Sequence, residues 1–132
     1  MKADLLRTDL VYPELSYKIV GCAFEVFKAL GPGLLERNYQ RAMALSFENA
    51  GMHFQEQLKH DVMFLGKKVA TGIFDFLVED KVIIELKRGK FNYPSELDQI
   101  LQYLKSSGKE LGILIRFAED GVQFKRIVNT RK

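Results

Sequence analysis

At 132 residues the chain has room for one domain, 1–132, and enough apolar length to bury a core without disulfides or metal staples. Its composition, 47% hydrophobic and 28% charged, excludes a disordered chain, and 20 Lys and Arg against 17 Asp and Glu leave a net charge of +3, too small to announce a nucleic-acid binder unless the charges cluster. The single cysteine, Cys22, excludes an internal disulfide and a cysteine zinc site, and no stretch approaches the roughly 18 apolar residues of a membrane span, so the expected setting is a reducing cytoplasm without membrane contact.

Residues 1–12 read as a lead-in, with acids among the leucines where a secretory signal would be continuously apolar. Pro13 suits the first turn of a helix, and Ile19, Val20, Ala23, Phe24, Phe27 and Leu30 recur at helical spacing. Gly31-Pro32-Gly33 breaks this helix. A second is expected from Leu34 to Ala50, with Leu35, Tyr39, Ala42, Met43 and Phe47 on one side and Gly51 as its stop. The period then changes to two. Phe54, Leu58, His60, Val62 and Phe64 predict a strand, Gly66-Lys67-Lys68 a turn, and Ala70–Val78 a second strand. Glu79-Asp80-Lys81 turns the chain into a third strand, Val82–Lys87, so the three should form an antiparallel meander. Arg88–Tyr93 is a loop. Pro94 and Ser95 open a helix striped by Leu97, Ile100, Leu101 and Leu104, which Gly108 ends. Leu111–Phe117 is almost continuously apolar, as in a strand buried on both faces, and Val122–Val128 is a last strand. The order αα-βββ-α-ββ predicts an α/β domain with helices packed on a mixed sheet.

The second and third strands carry an anomaly. Alternation places Ile73, Asp75 and Leu77 on one face and Phe74, Phe76 and Val78 on the other. In the next strand Ile83, Glu85 and Lys87 share a face. Three ionisable groups thus sit inside two apolar strands, and burying a charge is costly unless it is paired or bound to a metal. A three-residue turn pairs Val78 with Val82 and sets Asp75 across from Glu85; a two-residue turn would separate them. Facing carboxylates repel, and a hard divalent cation such as Mg²⁺ or Mn²⁺ relieves the repulsion. The alternative is an ion-pair network in which Lys87 neutralises one carboxylate and no metal binds.

Asp75 followed by Glu85-Leu86-Lys87 across a hairpin resembles the PD-(D/E)XK nuclease core, as does the order helix, three strands, helix, strand. Gly33-Leu34-Leu35-Glu36-Arg37-Asn38-Tyr39 reads G-x-x-E-x-x-Y and, with Gly31-Pro32 before it, resembles the GxxExxY branch of that superfamily. The likeness runs from about Ile19 to Val128 and takes in Gly21, Glu25-Val26, the stretch Val78–Lys87, and Gln99 with Tyr103-Leu104-Lys105. It implies a restriction-endonuclease-like core. It also implies that Asp75 and Glu85 are metal ligands, that the Leu86 carbonyl is a third oxygen, and that Glu36 completes the site directly or through water. Lys87 would be the catalytic lysine, assisting the nucleophilic water. Gln99 and Tyr103, spaced Q-x-x-x-Y, resemble a motif of RecB-like nucleases and would support the site or meet nucleic acid. Three positions depart from the branch: Phe27 and Glu96 stand where it often has histidines, and Arg116 where it often has asparagine.

The other residues are read more plainly. His60 is expected to be a satisfied core or sheet-edge histidine, His53 solvated, and Cys22 a packing residue. Tyr39 is either part of the site or a core aromatic. Lys87, Arg88 and Lys90 cluster beside the acids; Lys125, Arg126, Arg131 and Lys132 load the C-terminus, and Arg37 and Arg41 lie near Glu36. Basic groups around an acidic metal centre suit a phosphodiester. The expectation is a Mg²⁺-dependent nuclease, with Mn²⁺ as an alternative ion, acting on nucleic acid, DNA before RNA, and able to form a homodimer. The alternative is a non-catalytic nucleic-acid-binding or assembly module that keeps the fold.

Overall fold

The structure, a computed structural model, describes residues 11–89 and 94–129. Most of the lead-in, with Lys90, Arg131 and Lys132, lies outside the described residues.

Helix α1 (Pro13–Leu30) buries Ile19, Val20, Ala23 and Val26 along one face. It stops at Gly31, whose left-handed φ of 72° lets its N–H reach the Phe27 carbonyl at 2.8 Å. Helix α2 (Glu36–Asn49) begins two residues later than the apolar pattern predicts, because Leu35 is extended and leaves its side chain exposed. Five strands follow: β1 (Phe54–Phe64), β2 (Lys67–Val78), β3 (Val82–Arg88), then, after helix α3 (Pro94–Ser107), β4 (Leu111–Ala118) and β5 (Gly121–Val128). They form one sheet in the order β1-β2-β3-β4-β5, antiparallel except for the parallel pair β3–β4 that flanks α3 in sequence. No helix among the described residues is long and apolar enough to cross a membrane.

The first hairpin differs from its sequence reading. Its turn is Leu65-Gly66, both left-handed at φ 51° and 76°, while Lys67 and Lys68 already pair with Phe64 and Met63 in the strands. A two-residue hairpin turn of this hand needs positive φ at both centres, and Gly66 supplies one of them without strain.

Helices cover both faces. Under α1 and α2 lies the larger core, where Ile19, Met43 and Phe47 meet Phe76, Ile84, Leu86 and Ile113. Under α3, Ile100, Tyr103 and Leu104 pack on Phe74, Ile83 and Leu114. Strand β4 serves both layers, which explains its nearly continuous apolar run. Phe74 therefore faces opposite to Phe76, against the alternation rule. The reversal falls where Gln57 is left-handed, at φ 54°, and where β2 parts from β3. The ribbon β1–β2 twists there, carrying its outer half onto the α3 side.

Candidate active site at the parting of β2 and β3

The turn after β2 pairs Val78 with Val82, Leu77 with Ile83 and Phe76 with Ile84, and there the backbone ladder stops. One step further, side chains replace it. The Asp75 N–H donates to Glu85 Oε1 at 3.3 Å, and the Leu86 N–H donates to Asp75 Oδ2 at 2.7 Å. Beyond this point β2 pairs only with β1, and β3 only with β4. Each carboxylate thus fills a gap that the diverging strands leave in their hydrogen bonding.

Both acids are mostly buried, and burial is the main reason each holds its proton above the usual carboxylate range. For Glu85, burial and the neighbouring Asp75 charge push the pKa to about 8. Asp75 is raised as well, with the Leu86 N–H and Lys87 pulling the other way. Lys87 Nζ stands 3.7 Å from Glu85 Oε2 and 3.9 Å from Glu96 Oε2. Glu96, on the first turn of α3, is a neighbour that sequence reasoning noted only as a departure. Its position beside Lys87 depends on α3 lying across the end of β3, which no local pattern encodes.

Glu36 comes to the same end of β3 from the opposite helix. Its carboxylate accepts the Arg88 N–H at 3.3 Å, and its charge is felt at Asp75. The G-x-x-E-x-x-Y segment has a physical role in this placement. Gly33 takes φ 97°, and the Tyr39 hydroxyl donates to the Gly31 carbonyl at 2.7 Å while accepting the Leu34 N–H at 3.4 Å. The Tyr39 ring stacks on Phe117, with centroids 4.1 Å apart. Arg88 Nη1 donates to the Leu34 carbonyl at 3.2 Å. The tyrosine is thus a core residue that pins the loop presenting Glu36 to the end of β3.

The structure brings Asp75, Glu85, Leu86 and Lys87 together, with Glu36 and Arg88 at the rim. It does not bring Tyr103 there. That ring lies in the second core, tilted against Phe74 at 5.3 Å and edge-on to His60 at 4.8 Å, about 10 Å along α3 from Glu96. Gln99 is exposed on α3, so the Q-x-x-x-Y pair spans two environments. His60 is half-buried and bonded to Ser106 at 2.8 Å. Arg126 is turned inward to donate to the Val11 carbonyl and belongs to the fold rather than to a basic surface.

The donor set tests what could be held here. Two mutually repelling, proton-retaining carboxylates offer hard oxygens whose charge a divalent cation would neutralise, which fits Mg²⁺ or Mn²⁺. Among the described residues, no three His, Cys, Asp or Glu side chains converge closely enough to form a metal cluster, so the fit rests on the Asp75–Glu85 pair.

A five-stranded mixed sheet between helical layers, with an acid on its second strand facing Glu-x-Lys on the third, defines the restriction-endonuclease-like class. The chain belongs to the PD-(D/E)XK nuclease superfamily, whose family model matches residues 13–127. Among solved structures it is similar to SSO0001, at 18% identity and a TM-score of 0.50, over 67% of this chain and 46% of that one. It is also similar to an alkaline exonuclease (LHK-Exo) from Laribacter hongkongensis, at 13% identity and a TM-score of 0.48, over 96% of this chain and 74% of that one. The chain spans less than half the length of the first of these structures. No curated protein matches it in sequence.

Proposed function

We propose that the protein is a metal-dependent nuclease that hydrolyses phosphodiester bonds, DNA before RNA, with Asp75 and Glu85 as ligands to Mg²⁺ or Mn²⁺. The observation that carries this reading is the pair of carboxylates across the parted ladder, with the Lys87 ammonium 3.7 Å from Glu85. Leu86 would add its carbonyl oxygen and Glu36 would approach from α2, directly or through water. A cation held there supplies charge neutralisation at the phosphoryl oxygens and acidifies bound water.

The chain's own groups supply the rest. The Asp75 carboxylate is held by the Leu86 N–H, so its orientation is set before any ligand arrives. Lys87 is held between Glu85 and Glu96, where its ammonium would stabilise charge on the attacking oxygen and could donate a proton to the departing one. Arg88 and Lys90 are the basic groups for the flanking phosphates, with Gln99 further along α3. Within the superfamily we assign the chain to the GxxExxY branch, on Gly33, Glu36 and Tyr39.

The test is cleavage of single-stranded, duplex and branched DNA and of RNA with Mg²⁺ or Mn²⁺. Asp75→Ala, Glu85→Ala and Lys87→Ala should each lower turnover at least 100-fold; wild-type turnover in all three overturns the assignment. A second reading, a non-catalytic binding or assembly module, is favoured by one observation: Lys87 already lies between two carboxylates. Salt-dependent binding with no turnover and no metal requirement would select it.

A further inference from the structure

We propose that the β1–β2 hairpin is a nucleic-acid-binding arm whose lysine-flanked apolar tip seats in the major groove of duplex DNA, about one helical turn from the carboxylate site. The proposal rests on the nuclease reading of that site, and its test separates the two.

The arm exists because β2 parts from β3 at Asp75: outward from there, β2 pairs only with β1. Outward from the parting it carries a group of large apolar side chains in water. Met63, Phe64, Leu65, Val69 and Ile73 are all more than half exposed, and Leu65 is 83% exposed at the tip. Leu65 also holds φ 51°, a left-handed conformation that side chains other than glycine avoid. A turn residue chosen for the turn alone would be Asn, Asp or Gly.

Charge identifies the occupant. Lys59, Lys67 and Lys68 are exposed on the arm against one acid, Asp61, whose carboxylate already accepts the Thr71 hydroxyl at 2.9 Å. A second copy of the chain docked tip to tip would set these lysines against their own counterparts. A phosphate backbone complements them. The dimensions agree. Nine residues from Asp75 to Gly66 span about 30 Å at roughly 3.3 Å each, close to the ~34 Å turn of B-form DNA. A two-stranded ribbon fits the major groove, where Phe64 and Leu65 would meet base edges such as thymine methyls.

The probe is a labelled duplex of about two helical turns, followed by fluorescence anisotropy across a salt series, with EDTA present to stop cleavage. Lys67→Glu with Lys68→Glu should weaken binding at least tenfold and reduce the slope of log affinity against log salt by about two. Phe64→Ser with Leu65→Asn should weaken binding several-fold with the slope unchanged. Asn suits the left-handed turn position better than Leu does, so that loss would not be unfolding. Lys18→Glu with Lys28→Glu, the same charge change on the outer face of α1, should stay within about twofold of wild type. Equal effects of the arm and control pairs overturn the arm. So does a wild-type dimer in light scattering that Leu65→Asn dissociates while DNA binding is unchanged, since the occupant is then a second copy. Arm-dependent binding by a protein that cleaves nothing supports the arm and sinks the catalytic reading. Cleavage of single strands together with arm-independent duplex binding does the reverse.

Discussion

Glu85 holds a proton that it would shed in water, and this fixes the sign of a pH effect. Its pKa is pushed from the usual carboxylate range to about 8 by burial and by Asp75. Between roughly pH 4.5 and 8 the folded protein therefore binds a proton that the unfolded chain does not, and stability falls as pH rises through that window. Glu85→Gln keeps the shape and an acceptor for the Asp75 N–H but removes the ionisation. At pH 9, without divalent ions, it should be more stable than wild type by about 1–2 kcal/mol, or roughly 3–8 °C in Tm. Melting curves from pH 5 to 9 check this; parallel slopes for the two proteins would show that another group titrates. The register that sets Asp75 across from Glu85 was legible in the sequence, because the three-residue turn pairs Val78 with Val82. The Lys87–Glu96 contact was not, because the two residues meet only through the docking of α3.

The elements are held in register by packing that local patterns reveal unevenly. Leu111–Phe117 reads as a buried strand from its apolar run, and it is one. Within it Gly112 permits the close approach of α3 to the sheet. A Cβ there would lie 2.4 Å from Ile100 Cγ2 and 2.7 Å from Ile83 Cγ2. Both are branch methyls in a fully buried layer, so neither can swing aside without moving its own element. Gly112→Ala should destabilise by about 1–3 kcal/mol, seen as a lower urea midpoint at unchanged m-value. It should also lower any Lys87-dependent activity, because α3 carries Glu96. An unchanged midpoint would mean that the helix shifts freely, and that the site is less fixed than its distances suggest. The reversal of Phe74 was illegible for a related reason. Alternation assumes a regular ribbon, and the left-handed Gln57 breaks that regularity without a glycine or proline to mark it.

Across the molecule, the hydrogen-bonding gap between β2 and β3, the loop pinned by Tyr39 and the first turn of α3 converge on one end of β3. The near-balanced net charge concealed this, since the acids lie at the parting of the strands while exposed lysines lie on the arm. The arrangement stores unfavourable electrostatics: two mostly buried acids that repel when both ionise. A ligand that binds only the folded, ionised pair stabilises the whole fold by mass action, about 2.7 kcal/mol at 100 times its Kd. Mn²⁺ or Mg²⁺ should therefore raise Tm. The rise should be larger at pH 8.5 than at pH 6, because at the lower pH the cation must first displace the Glu85 proton. Asp75→Asn should abolish the rise at both values. A Tm indifferent to both ions at every pH would instead assign the carboxylates and Lys87 to an ion-pair network, and would leave the superfamily fold without its metal chemistry in this chain.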